Sequence, residues 1–405
     1  MISRMDQIYE RAEATIVALD GADDESGLPG VSVPRIPQPH HQTSRWHLVS
    51  TCPPIQTVIS HSIWGTRGWT YQEARLSRRC LFFTKHQVYL VCRHSTYSEV
   101  LHPRSQDDWV SKLLNSGCLS SSLFAPAVSL LGALCQDRHI YSMKQLSFGN
   151  DILDAFRGIL TRSPFISFWG VPIIPFAATM DANVGFALGL LWCRRPKSSL
   201  NRHIVQSTSA SMTRRVGFPT WSWTSLTGEI FNDDCVPESV FGAYLMGLTK
   251  ESSASEADIF FSLRLGGRHI PINEVLSTQG MKIIPEEEDS HKLLVEGNII
   301  RLKRTLGDSH QVLGTGKRTI ELPTSYDIAI PQGAEISEKT EHDALILINW
   351  NDSQRKASRR FVGMLLEWVE DGVAERRGLV SHYRLDFSAK TLREIPVTRK
   401  RFILR

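Results

Sequence analysis

The stretch Trp64-Gly65-Thr66-Arg67-Gly68-Trp69-Thr70-Tyr71-Gln72-Glu73 puts two tryptophans, two glycines, an arginine and a glutamate within ten residues. An apolar run, Leu81-Phe82-Phe83-Thr84, follows closely. Gly68 predicts a tight entry into a helix reaching about Ser77, and Arg79 to Thr84 reads as a buried strand. On such a helix Trp69 and Glu73 stand four apart and share a face. A carboxylate beside an indole, on a helix leading into the core, is either half of a structural ion pair or a group with a tuned pKa. Arg67, Arg75 and Arg78 are the nearby cations for the first reading.

The flanking chain supplies a layer for this helix. Ile2, Met5, Ile8, Tyr9 and Ala12 recur at helical spacing up to about residue 13. Thr15-Ile16-Val17-Ala18-Leu19 reads as a short buried strand ended by Asp20-Gly21. Residues 27–39 hold four prolines and two glycines and predict an irregular loop. Gln87 to Cys92 reads as a further strand. Helix, strand, loop, helix, strand is the order of an α/β layer with a largely parallel sheet.

Residues 107–195 read as mostly helical, from apolar spacing at Leu113-Leu114, Ala127-Val128, Leu130-Leu131 and Ile152 to Leu160. Asn150 or Asp151 is the expected cap of the last of these helices. Arg194 to Thr213 is polar and serine-rich, the composition of an exposed linker. From Phe218 the pattern turns to strands. Leu293 to Leu302 predicts a hairpin about Glu296-Gly297-Asn298, and Ala344 to Trp350 and Phe361 to Trp368 predict two strands. Trp221-Ser222-Trp223 alternates with period 2, which puts both indoles on one buried strand face. The expected fold class is α+β, with an α/β region at 1–104, a helical region and linker at 105–213 and a β-rich region at 214–405.

Composition narrows the function classes. The chain has 405 residues, 41% hydrophobic and 22% charged, in the ordinary range for a globular protein. A formal charge of +4 does not argue for a nucleic-acid surface. Seven cysteines are scattered without a Cys-x-x-Cys pair, so neither a disulfide framework nor a zinc site is expected and a reducing compartment fits. His40-His41 and His47 near Cys52 match no zinc spacing and read as a polar loop. Gly314-Thr315-Gly316-Lys317 lacks the upstream glycine and trailing hydroxyl of a phosphate loop, and no Gly-x-Ser-x-Gly elbow occurs. The apolar stretch from Ile173 to Trp192 is interrupted by Pro175, Asp181 and Asn183, so no membrane span is expected. Charges at Arg4, Asp6, Glu10 and Arg11 break any signal-peptide core. Glu286 to Asp289 and Arg399 to Arg401 read as solvated charge runs.

Four segments carry a family resemblance. Arg67-Gly68-Trp69-Thr70-Tyr71-Gln72-Glu73 with Leu81-Phe82-Phe83 resembles the C-terminal half of a fungal heterokaryon-incompatibility (HET) domain. Met5-Asp6-Gln7-Ile8-Tyr9-Glu10-Arg11-Ala12 running into Ile16 to Leu19, the loop Ser26 to Gly30, and Phe218-Pro219-Thr220-Trp221-Ser222-Trp223 are similar to further segments of such proteins, in the same order. Asp151 to Leu160 also resembles a helix found downstream of many HET domains. The family's upstream Leu-Ser-Tyr-x-Trp-Gly and Trp-x-Asp-x-x-Cys-Ile-x-Gln segments do not occur here, which implies either a truncated domain, the favoured reading, or a natural remnant with fewer strands, and in both cases an inactive 405-residue form.

The resemblance implies an allorecognition or programmed cell death protein of the cytoplasm that works through a protein partner or self-association. HET domains are distantly similar to TIR domains, whose Trp-Cys-x-x-Glu pattern serves NAD cleavage. Trp69-Thr70-Tyr71-Gln72-Glu73 keeps the Trp and Glu spacing with Thr70 in place of Cys. This implies Glu73 as catalytic carboxylate, with Arg67, Trp69 and Gln72 as other motif residues and NAD as substrate rather than cofactor. Chemically, a buried carboxylate would stabilise the oxocarbenium charge that develops as the nicotinamide bond breaks. The alternative for Glu73 is an ion pair that only fixes the helix.

Overall fold

The computed structural model describes residues 4–23, 25–50, 52–92, 96–99, 130–174, 181–194, 213–232, 259–277, 283–284, 286–287, 289–305, 309–314, 320–327, 341–351, 359–382 and 395–405. These residues form helices and strands in an α+β arrangement and divide into two compact units, 1–162 and 163–405.

The first unit opens with α1 (Met5–Arg11) and β1 (Thr15–Ala18), then a small hairpin of β2 (His40–Gln42) and β3 (His47–Val49). Three short helices follow, α2 (Ile55–Ser60), α3 (Ile63–Thr66) and α4 (Trp69–Leu76). Strands β4 (Arg79–Phe83), β5 (Val88–Cys92) and β6 (Thr96–Ser98) come next, and α5 (Leu130–Ser142) and α6 (Asp154–Arg162) complete the unit. The sheet order is β1-β4-β5-β6. Only β1 and β4 are parallel, with Val17 opposite Phe82, and the other two pairings are antiparallel. The largely parallel sheet expected from element order is therefore not formed. The link from β4 to β5 is a tight turn in which the Thr84 hydroxyl donates to the Gln87 carbonyl at 2.7 Å, and so short a link permits only antiparallel pairing. β1 lies at the sheet edge and is half-buried rather than buried, with Val17 inside and Ile16 61% exposed.

α4 packs against α1 and α6. Gly158 on α6 permits this approach, since a Cβ there would come within 2.6 Å of Leu76 Cδ1 and 3.1 Å of Asp6 Cβ. Tyr71 of α4 meets Tyr141 and Phe156, and the last two rings stack at 4.7 Å. The helix expected to be capped by Asn150 or Asp151 begins instead at Asp154, after a tight 3-10 turn at Gly149–Ile152. Asp151 does not cap it because its carboxylate accepts the Trp69 indole N–H at 3.0 Å. The expectations at Leu113-Leu114 and Ala127-Val128 lie outside the described residues, as does most of the expected linker at 194–213.

The second unit begins with a hairpin, β7 (Ile166–Phe168) and β8 (Val171–Ile173), within the stretch expected to be helical. Trp169 and Gly170 at its turn both have positive φ, the geometry of a tight two-residue connection. After α7 (Ala182–Gly189) and the short strands β9 (Trp192–Cys193) and β10 (Phe231–Asn232), the chain is β-rich. The strands are β11 (Phe260–Leu265), β12 (Arg268–Pro271), β13 (Leu293–Arg304), β14 (Ser309–Val312), β15 (Glu321–Tyr326), β16 (Glu341–Asn351), β17 (Arg359–Glu370), β18 (Val373–His382) and β19 (Thr398–Leu404). The pairing runs β13-β14-β15-β18-β17-β16 and returns to β13, so six strands close a small barrel. Its interior holds Ile300, Leu302, Val312, Leu322, Ala344 and Val380. Closure leaves these six strands without a free edge, which removes a route to edge-to-edge aggregation.

Two sequence expectations fail here for tertiary reasons. β13 runs unbroken through Glu296-Gly297-Asn298, because β19 pairs with it along Leu293 to Ile299 and Val295 and Ile299 are both buried. Trp221-Ser222-Trp223 forms a turn leading into a 3-10 helix, not a strand. Burial of both indoles holds, at 0% and 1% exposure. Trp221 donates to the His291 carbonyl at 2.9 Å, Trp223 to the Gly170 carbonyl at 2.8 Å, and Trp192 to the Trp221 carbonyl at 3.0 Å. Beneath Trp192, at 3.4 Å from its ring centroid, lies the fully buried Arg376, paired with Asp327 at 3.1 Å. No helix among the described residues is long and apolar enough to cross a membrane. Trp221→Ala is expected to cost ~3–5 kcal/mol, the range for emptying a closed aromatic site. Denaturant unfolding of the full chain measures this, and a change under about 1 kcal/mol would contradict the packing described.

Candidate functional site

The glycines of the Trp64 to Glu73 stretch set the geometry of the site. A Cβ at Gly65 would lie 2.0 Å from the Ile59 carbonyl oxygen, and one at Gly68 would lie 2.5 Å from Leu146 Cδ2. Gly68 has ordinary helical angles, φ −67° and ψ −44°. Its glycine is needed for close approach rather than for the tight turn that the sequence suggests. At this point the Gly68 N–H donates to the Gln145 carbonyl and the Gln145 N–H to the Thr66 carbonyl, both at 2.7 Å. The Lys144 ammonium adds a bond to the Gly65 carbonyl at 2.6 Å. α3 and α4 are thus held at a fixed angle by backbone contacts. At the other end of α4, the Ser77 hydroxyl donates to the Glu73 carbonyl at 2.6 Å and bonds Thr15 Oγ1 at 2.6 Å, tying the helix to β1.

Glu73 projects from α4 and is half-buried. Its carboxylate accepts hydrogen bonds from the Tyr9 hydroxyl on α1 and the Trp64 indole on α3. The Trp64 ring stands edge-on to the buried Phe82 at 5.6 Å. Burial raises the Glu73 carboxyl above the usual carboxylate range, while the bonds from Tyr9 and Trp64 and the charge of Arg67 oppose that rise. Burial, together with the carboxylate's charge and hydrogen bond, pushes the Tyr9 hydroxyl up to about 12. The Cys80 thiol is also pushed up to about 12, first by burial and then by Glu73, so it is a poor nucleophile.

Glu73 forms no ion pair among the described residues. Arg75 pairs with Asp137 at 2.8 Å, and Arg78 lies 3.8 Å from Glu13. Arg67 is exposed and acts on Glu73 only through its field. The other motif residues turn elsewhere. Trp69 reaches Asp151, and Gln72 is 1% exposed with its Oε1 against Gly158. The indole that bonds Glu73 is therefore Trp64 and not Trp69, whose shared helical face with Glu73 the sequence emphasises. Tyr9 and Trp64 are the residues that sequence reasoning missed. Each lies in a segment already singled out, but only the packing of α1 and α3 against α4 joins them.

A half-buried carboxylate with a raised pKa and two fixed donors can exchange a proton or face a developing positive charge. Among the described residues, no group of three or more His, Cys, Asp or Glu side chains is placed to hold a metal ion. Glu73→Gln keeps an acceptor for Tyr9 and Trp64 and removes the buried charge. The raised folded-state pKa means that ionised Glu73 lowers wild-type stability as pH rises above the unfolded value near 4.5. Relative to wild type, Glu73→Gln is expected to melt at the same or a higher temperature at pH 7, with the difference shrinking towards pH 4.5. A lower melting point at pH 7 would mean that the charge is stabilising.

Residues 1–73 match the family model described as heterokaryon incompatibility protein (HET). No curated protein and no solved structure matches the chain. The matched segment holds Tyr9, Trp64, Arg67, Trp69 and Gln72 and ends on Glu73, so the carboxylate and its two donors lie within it, while the residues that hold α3 and α4 from 77 onward do not. Residues 1–73 are thus the part of the chain that is similar to a HET domain.

Proposed function

We propose that this chain acts in fungal allorecognition and programmed cell death in the cytoplasm, through self-association or contact with a protein partner. The HET match supports the general class. The observation that carries the interaction reading is the hairpin of β2 and β3 inside the matched segment, where all twelve residues from Pro39 to Ser50 are exposed. Trp46 is 71% exposed and Leu48 57%. Trp46 closes the turn and Leu48 follows on β3. Thr43 fixes the turn by accepting the Trp46 N–H at 2.9 Å, so these side chains are presented on an ordered element. A two-stranded hairpin with an exposed tryptophan gains little from water and much from a docking surface. Replacing Trp46 and Leu48 together by Ser is expected to leave the unfolding free energy within about 0.5 kcal/mol of wild type while abolishing growth arrest in fungal cells expressing the full chain. Equal growth arrest from both proteins would remove the hairpin from the function.

A second reading is supported by Glu73. A carboxylate raised by burial, bonded by Tyr9 and Trp64 and without an arginine ion pair among the described residues, suits cleavage of the nicotinamide bond of NAD. In that reading NAD is substrate rather than cofactor, Arg67 is the exposed motif residue beside Glu73, and Trp69 and Gln72 serve the packing of α4. Nicotinamide release from NAD by the full chain, and its loss in a folded Glu73→Gln variant, is the expected outcome for an active enzyme. No release by the wild-type chain would favour the interaction reading, in which the present form has no turnover.

A further inference from the structure

The barrel of the second unit is apolar along most of its interior, and its polar end is the informative part. The inward face that carries Ile300 and Leu302 continues on β13 to Arg304. By the same periodicity Val312 leads to His310 on β14, Leu322 to Thr324 and Tyr326 on β15, and Ala344 to His342 on β16. The register agrees, with Arg304 opposite His310, His310 opposite Leu322 and Leu302 opposite His342. Five polar side chains from four strands therefore converge at one end of the barrel.

Their contacts are specific. His310 is 0% exposed, with Nδ1 2.8 Å from Thr324 Oγ1 and Nε2 3.2 Å from His342 Nδ1. The two imidazoles meet edge to face at 5.1 Å, and the Arg304 guanidinium lies 5.5 Å from the Tyr326 ring centroid. Among the described residues Arg304 makes no ion pair and no hydrogen bond, and its Nε is buried. The nearby carboxylates are engaged elsewhere. Asp343 takes the Trp368 indole at 3.0 Å and the Lys400 ammonium at 2.7 Å, and Glu341 lies 3.9 Å from Arg301. Burial, then the neighbouring His342 and Arg304, hold His310 down to about 3, and burial and Arg304 also lower His342. Among the described residues, the barrel end is thus electropositive and has no compensating anion.

We propose that this end of the barrel binds a compact oxyanion, a phosphate or carboxylate group of a small molecule, through the Arg304 guanidinium and the outer ring nitrogen of His342. A cation is the poorer fit. The two imidazole nitrogens stand at a spacing that one metal ion could bridge, but Arg304 beside them repels it. The guanidinium supplies a planar fork of donors suited to an oxyanion, and the aromatic ring beneath it restricts its motion. Mouths of small barrels are also common places for ligands.

The test uses the full chain, followed by thermal melting and calorimetric titration with sodium phosphate or sodium acetate against sodium chloride of equal ionic strength. Saturable stabilisation by phosphate identifies a phosphate site, and by acetate alone a carboxylate site. Arg304→Gln is expected to weaken the apparent affinity by about tenfold, the order of one charge-assisted contact. Arg304→Lys, which keeps the charge but not the fork, is expected to fall between the two, and it carries the test if Arg304→Gln does not fold. Stabilisation no greater than that from chloride, undiminished affinity in the folded arginine variants, or saturable stabilisation by zinc ion in place of the anions would overturn the proposal.

Discussion

The buried carboxylate of Asp137 is the interaction on which the first unit depends. It accepts the Tyr71 hydroxyl at 2.7 Å and the Arg75 guanidinium at 2.8 Å, both from α4. Asp137 is 5% exposed, so removing either donor would leave a charge in a poorly solvated place. This pairing fixes the rotation of α4 about its own axis. It also engages the one arginine two residues beyond Glu73. With Arg75 held on α5 and Arg78 directed to Glu13, Glu73 takes neutral donors, Tyr9 and Trp64. Its raised carboxyl is thus a consequence of how the neighbouring charges are partitioned.

A similar principle organises the second unit, with the charge reversed. Arg376 is fully buried, yet its guanidinium reaches Asp327 and the Leu190 carbonyl at 2.7 Å, with the Trp192 carbonyl as a further acceptor and the Trp192 ring above it. Trp192, Trp221 and Trp223 each donate to a backbone carbonyl, so three buried indoles are accommodated without an orphaned N–H. Arg304 at the barrel end is the contrasting case, a guanidinium in the same unit without such partners among the described residues. The difference between the two arginines separates a structural cation from one available to a ligand.

For the candidate site, the arrangement distinguishes residues that share a motif from residues that share a place. Trp69 and Gln72 contribute to the packing of α4 against 145–158, while Glu73 faces α1 and α3. The polar donors at Glu73 come from positions nine and sixty-four residues earlier in the chain. Binding and catalytic readings of this surface thus rest on α1 as much as on the motif itself.

Much of this was legible in the sequence because it depends on local periodicity. α1, β1, α4, β4, β5 and the strands at 341–351 and 359–370 follow from apolar spacing that packing did not override. The HET segment was legible from side-chain identity alone, and Glu73 was singled out by residue type. What the sequence could not decide were the matters that depend on neighbours distant in the chain. The hairpin expected at Gly297 became straight strand because β19 pairs across it. Trp221 and Trp223 were buried as expected but on a turn, since burial follows from indole area whereas backbone shape follows from where the carbonyls of Gly170 and His291 lie. Whether Glu73 would meet an arginine or two neutral donors was set by Asp137, a residue sixty-four positions away whose placement only the packing of α5 against α4 determines.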